Sequence, residues 1–254
     1  MARFVTIAVS LLSLALSSCF LSKGQRFHHF TVETPVPKAS VLVLGFMGGR
    51  TSWDDEREGV RKLALRLRQK ELPLAVETVE NKKRKLALQL IIQAFDKDGD
   101  GRLDREEKDA VRLVLYGQSF GGAAVVKLAR QLHRRDIPVL LTVQVDSVGR
   151  GDAKIPPNVQ AAANLYQDNG WFIEGEKPIV AEDPDRTRIL GNFRFDYKDR
   201  DIDLSGVPWH KLIFRKAHAK MNLDPEVWNK VEELILDACQ AGLSEPSRDQ
   251  GDKR

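Results

Sequence analysis

Cysteine is nearly absent: Cys19 and Cys239 are the only two in 254 residues, too few for a disulfide framework or a zinc site by themselves. Aromatic residues make up only 7%. Charge of one sign is lacking too, with 40 Lys and Arg interspersed among 36 Asp and Glu for a net +4. A dedicated nucleic-acid binder would carry a one-signed block instead. Long hydrophobic runs are missing, and the one strongly apolar stretch, residues 4–16 (FVTIAVSLLSLAL), is too short to cross a bilayer comfortably. What the chain has is 42% hydrophobic residues, too many for a disordered polymer and enough for one substantial core.

With Arg3 before it and the small Ser17 and Ser18 after it, the apolar stretch reads as an export signal. Leu16-Ser17-Ser18-Cys19 resembles the bacterial lipobox. That resemblance implies cleavage of residues 1–18, a lipid on Cys19 and a bacterial cell-envelope location anchored to the membrane. Cleavage without lipid attachment would give a periplasmic or secreted protein. Cys239 then reads as a buried core thiol. Residues 19–40 read as a tether, with an edge strand over 29–36. His28 and His29 have no neighbouring Cys or carboxylate cluster and read as solvated side chains more than ligands.

From Val41 onward, strand and helix patterns alternate. Val41 to Leu44 is an apolar run ending in Gly45, as expected of a parallel strand buried on both faces. Residues 51–56 supply a cap and an acidic first turn for a helix with Val60, Leu63, Ala64 and Leu67 on one face. Strands are expected over 74–79, 111–116, 138–145, 188–195 and 211–217. Helices are expected over 82–95, 122–134 and 225–239, with a helix-like piece at 158–166. The alternation predicts an α/β domain over 41–243 with a doubly wound, mainly parallel sheet, and a frayed tail over 244–254.

Two motifs carry chemistry. Gly117-Gln118-Ser119-Phe120-Gly121-Gly122 sits between an apolar strand and a helix, the context that G-x-S-x-G needs. The turn forces the serine into a strained conformation, so positions two before and two after it must be very small. Gly117 and Gly121 meet that demand. On these residues the chain, over about 40–238, resembles the α/β-hydrolase superfamily, in particular its small lipases and esterases. The resemblance implies the α/β-hydrolase fold and a Ser-His-Asp triad acting on esters. It also implies an oxyanion hole from two backbone N–H groups, here those of Phe46, in Leu44-Gly45-Phe46-Met47-Gly48-Gly49, and Phe120. Leu44 stands where the family usually has His.

A serine hydroxyl needs a base, which follows it in chain order. His133 lies in the helix just after the nucleophile. His210 and His218 lie at opposite ends of the strand expected over 211–217, and His218 falls at the carboxyl edge where open α/β sheets build their sites. The acid is Asp146, at the end of an apolar strand, with Asp196, Asp199 and Asp201 as competitors.

The second motif is Asp96-Lys97-Asp98-Gly99-Asp100-Gly101-Arg102-Leu103-Asp104-Arg105-Glu106-Glu107. Acidic residues at positions 1, 3, 5, 9 and 12 and Gly at 6 match the EF-hand calcium loop, whose ligands here would be Asp96, Asp98, Asp100, Arg102 through its carbonyl, Asp104 and Glu107. No second loop pairs with it, which argues against a groove-opening sensor. It joins a helix to the amino end of the Ser119 strand, so calcium would be a structural staple far from the chemistry.

Residues 147–187, with Pro156-Pro157, Tyr166, Trp171 and Phe172, read as a cap or cleft region, with the helix-like piece at 158–166 able to cover an acyl pocket. The expectation is thus an exported serine hydrolase cleaving carboxylic esters of small molecules or lipids, with structural calcium and no nucleic-acid partner. The alternatives are a thioesterase or amidase with the same triad, and a non-catalytic calcium-binding surface protein on a hydrolase scaffold.

Overall fold

The computed structural model describes residues 24–169, 178–205, 207, 212 and 216–244. The signal and lipidation sites expected within residues 1–19, His210, Trp171, Phe172 and the tail from 245 onward lie outside the described residues. Among those described, no helix is long and apolar enough to cross a membrane.

Six strands form one parallel sheet: β1 (Val41–Met47), β2 (Leu74–Glu80), β3 (Leu113–Gln118), β4 (Val139–Val145), β6 (Val159–Tyr166) and β8 (Arg188–Arg194). Their order is β2-β1-β3-β4-β6-β8. The short β5 (Lys154–Ile155) and β7 (Val180–Ala181) pair separately. Every residue of β1 and β4 is buried, because helices cover both faces. Alternation along β1 divides the core: Val41, Val43 and Met47 point to one apolar cluster, Leu42, Leu44 and Phe46 to the other.

The first cluster is closed by α1 (Gly59–Leu67), α5 (Lys216–Leu223) and α6 (Pro225–Ser244). The second is closed by α2 (Arg84–Phe95) and α4 (Phe120–His133). The remaining helix, α3 (Arg105–Ala110), leads directly into β3. The chain is therefore of the α/β class, a mainly parallel sheet wound on both sides.

Three local expectations are corrected. The helix-like piece at 158–166 is β6, paired in parallel with β4 and β8. Its Ala161-Ala162-Ala163 run has helix propensity, but two flanking ladders outweigh it. The strand expected over 211–217 does not extend to its end: residues 216–223 are α5, with Ala217 and Met221 buried one turn apart.

The tether is no tether from residue 24 onward. A 3₁₀ turn at Phe27–His29 replaces the edge strand, and Phe27, Phe30, Val32 and Val36 pack on the second cluster. Fully buried Glu77 of β2 accepts hydrogen bonds from Thr31 N (2.5 Å), Thr31 Oγ1 (2.8 Å) and Val32 N (3.1 Å), and pairs with Arg68 (3.0 Å).

Candidate active site and acidic loop

Ser119 is the single residue between β3 and α4, at φ 57 and ψ −126, a left-handed conformation that a side chain occupies only when its surroundings impose it. Those surroundings are tight. A Cβ on Gly121 would lie 2.0 Å from the carbonyl oxygen of Phe46, and one on Gly117 would lie 2.6 Å from the backbone of Gly121. The turn is tied to the next strand by Ser119 N donating to Val145 O (2.9 Å) and Val148 N donating to Ser119 O (3.1 Å).

Asp146 follows β4 at the same sheet edge, also at positive φ (44) and fully buried. Its Oδ2 lies 2.6 Å from His218 Nδ1, and its carboxylate accepts from Gln167 Nε2 at 3.2 Å. A carboxylate on Nδ1 holds the proton there and leaves Nε2 with its lone pair outward. His218 rides on α5, which is clamped onto the domain. Asn222 caps α1 through Gly59 N (3.3 Å) and donates to Glu58 (2.7 Å), and Lys220 Nζ donates to the carbonyls of Tyr197 and Arg200. Behind it, the Tyr197 hydroxyl is hydrogen-bonded to Asp224 (2.8 Å). Burial and that carboxylate raise its pKa far above the ordinary phenol range.

Ser119, Asp146 and His218 therefore converge on one edge. The competing carboxylates do not reach the imidazole. Asp196 instead accepts from Lys198 N, which with nearby cations holds it below its ordinary value, and Asp199 and Asp201 are exposed. His133 is in the last turn of α4.

Two residues that sequence reasoning passed over complete the picture. Among the described residues no hydrogen bond joins Ser119 Oγ to His218; instead Gln118 Nε2 lies 3.1 Å from His218 Nε2. Gln167, the first residue past β6, was hidden by reading that strand as a helix.

The N–H of Phe46, expected as an oxyanion donor, is directed into the sheet. Phe46 lies inside β1, paired with Val79 and Gly117. Leu42 N donates to Arg112 O, and the two-residue repeat of a parallel ladder directs Phe46 N to Tyr116 O. The next N–H of that series is Gly48, past the ladder's end. A Cβ on Gly48 would lie 3.3 Å from Ser119 Cβ, so this backbone closely approaches the serine. Phe120 is the first residue of α4, where N–H groups have no partner within the helix. Its ring is 49% exposed beside the serine.

The acidic loop lies at the other sheet edge, before β3. Asp96, Asp98 and Glu107 each bring a carboxylate oxygen within 4.8 Å of one another. Backbone N–H groups shape the cradle: Gly99 and Gly101 donate to Asp96 (2.8 and 2.9 Å), and Lys97 and Asp104 to Glu107 (2.6 and 3.0 Å). Asp100 and Asp104 accept from Arg102 N and Glu107 N, and Leu103 anchors the loop in the core. At Asp98 the Asp100 N–H lowers the pKa, but desolvation and the neighbouring carboxylates outweigh it, so the group stands above its ordinary value. All-oxygen donors under mutual repulsion fit a hard divalent cation. The remaining cysteine, Cys239, is buried and its thiol pushed up to about 12 by desolvation.

The fold and this edge define an α/β protein with a serine-bearing strand–helix turn facing a histidine–aspartate pair. No protein-family model matches the chain, and no curated protein matches it in sequence. Among solved structures, "RedJ with PEG molecule bound in the active site" is similar at 12% identity and a TM-score of 0.38, over 87% of this chain and 98% of its own. A likeness of that size assigns no activity.

Proposed function

We propose that the chain is a serine hydrolase cleaving carboxylic esters. The observation that carries this reading is the convergence of strained Ser119 with the 2.6 Å Asp146–His218 pair at one sheet edge. His218 takes the Ser119 proton through Nε2 as Oγ attacks the ester carbonyl, then returns it to the leaving alcohol. Asp146 keeps the Nδ1 proton in place and stabilises the imidazolium. The N–H groups of Phe120 and Gly48 receive the developing oxyanion, Gly48 in place of Phe46. Water, activated by the same imidazole, releases the acid. Before the first step the Gln118 amide must leave Nε2, so that the serine hydroxyl can bond there.

That same contact favours a second reading, a hydrolase scaffold that binds without turnover. One experiment separates them: labelling by a fluorophosphonate probe and hydrolysis of p-nitrophenyl esters by residues 20–254, beside Ser119→Ala and His218→Ala. The enzyme reading expects labelling and turnover in the wild type alone. Equal rates in all three proteins, or no label on Ser119, would sink it. Comparing oxygen esters with thioesters and anilides under the same conditions sorts esterase from thioesterase and amidase.

Two further parts of the proposal rest on sequence pattern and loop chemistry. A calcium ion held by Asp96, Asp98 and Glu107, with Asp100, Asp104 and the Arg102 carbonyl drawn in, would crosslink α2 to α3 and stabilise the fold without touching the reaction. Export with a lipid on Cys19 is checked by the mass of the mature N-terminus and by its change in Cys19→Ser.

A further inference from the structure

The carboxyl edge of the sheet carries a positive surface that the hydrolytic machinery does not use. A cavity of about 430 Å³ has Lys82, Lys83, Arg84 and Lys85 at the start of α2, with Gln25, and extends to Gln89 and to Gln131 in the last turn of α4. These four cations follow β2 and open α2, whose N-terminus adds positive potential. Among the described residues none of them forms an ion pair. Arg84 reaches the carbonyl of Asn81 at 3.5 Å, while its Nε is screened from solvent without a partner. Glu80 stands beside Lys83 across Gly24, so one carboxylate faces four cations, and the chemistry that satisfies the excess of ammonium and guanidinium groups is a phosphate ester.

Two placements identify which phosphate. Adjacent strands β2, β1 and β3 run in parallel, so the cations that follow β2, exposed Arg50 after β1 and the 49% exposed Phe120 after β3 share the edge that holds Ser119. Cations flanking an exposed aromatic ring are the composition of a membrane-contacting face. The acidic turn at this edge is partly spent internally: Asp55 binds Arg57, Asp54 binds Ser52 and Glu58 binds Asn222. Moreover, Gln25, in the wall of the cavity, lies six residues after Cys19. A lipid on Cys19 would thus begin within about 20 Å of these cations.

We propose that Lys82, Lys83, Arg84 and Lys85 dock the domain on anionic phospholipid headgroups, turning the Ser119 edge toward the bilayer so that the ester substrate is drawn from the membrane. The placement argument rests on the export and hydrolase readings; the binding itself depends on neither.

The test uses residues 20–254, which retain every described residue, carrying Ser119→Ala to prevent turnover. Sedimentation with phosphatidylglycerol vesicles is compared with phosphatidylcholine vesicles, for this protein and for Lys82→Gln/Lys83→Gln/Arg84→Gln/Lys85→Gln. Each cation near an anionic surface strengthens binding about fivefold, so the quadruple variant should lose roughly 600-fold of phosphatidylglycerol binding. The exposed pair Lys82→Gln/Lys85→Gln gives a graded loss should the quadruple variant misfold. Undiminished binding in the variants, equal binding to both vesicles, or full displacement by inorganic phosphate at constant ionic strength would overturn the proposal, the last by assigning the cavity to a free anion. With Ser119 intact, the quadruple variant should hydrolyse soluble esters at the wild-type rate and vesicle-borne esters more slowly. A wild type inert on both but bound to phosphatidylglycerol through these residues would refute the hydrolase reading and leave docking standing.

Discussion

Gln118 Nε2 stands 3.1 Å from His218 Nε2, on the ring nitrogen that must accept the serine proton. Removing the amide should relieve that competition. Gln118→Ala is expected to be labelled at Ser119 by a fluorophosphonate severalfold faster than the wild type, with unchanged unfolding. A slower rate would show that the amide assists the imidazole instead of competing for it.

The Asp146–His218 contact has its own signature. Asp146→Asn keeps the shape but lets the amide donate where the carboxylate accepted, so the ring presents the wrong tautomer; kcat should fall about 10⁴-fold. His218→Ala should cost about 10⁶-fold, and the double variant little more than His218→Ala, because the groups act as a unit. Steady-state kinetics on one soluble ester tests both. Additive losses would contradict a shared role.

Glu77 predicts a stability effect remote from catalysis. Glu77→Ala leaves Arg68 without its buried partner and frees the Thr31 and Val32 donors, a loss of about 3–5 kcal/mol. Denaturant unfolding should show it, and limited proteolysis should cut faster within 24–36 than in the wild type.

For the acidic loop, calcium at a hundredfold above its dissociation constant should add about 2.7 kcal/mol to unfolding, raising the melting temperature by about 5–10 °C in a domain of this size. Glu107→Gln should remove most of that rise. The calcium effect should be equally large in Ser119→Ala. Loss of ester hydrolysis on chelation with an unmoved melting curve would contradict a staple.

Which parts of this were legible in the sequence follows from whether local residues decide them. β1 is a run without a charged or polar side chain because both faces of the sheet are covered, and β4 departs from that only at Thr142 and Gln144. Ser119 was legible because its turn excludes side chains at Gly117 and Gly121, and Asp146 because a strand visibly ends there. β6 was not, since Val159–Tyr166 takes its conformation from ladders with residues near 140 and 190. That the ladder takes in Phe46 was hidden for the same reason: where a ladder stops depends on how far the partner strand continues. Gln118 occupied a position that the motif leaves open, and its meaning appears only with His218 beside it.

The fastening of residues 24–36 also decides how the molecule bears a load. A pull on the N-terminus, from a lipid in a moving bilayer, meets Gln25 first, bonded to Thr78 and Glu80, and then Thr31 and Val32 on Glu77. All three acceptor residues belong to β2, the outermost strand on that side of the sheet. Tension is thereby spread along a peripheral strand as shear, and the strained serine turn two strands inward is mechanically insulated from the N-terminus.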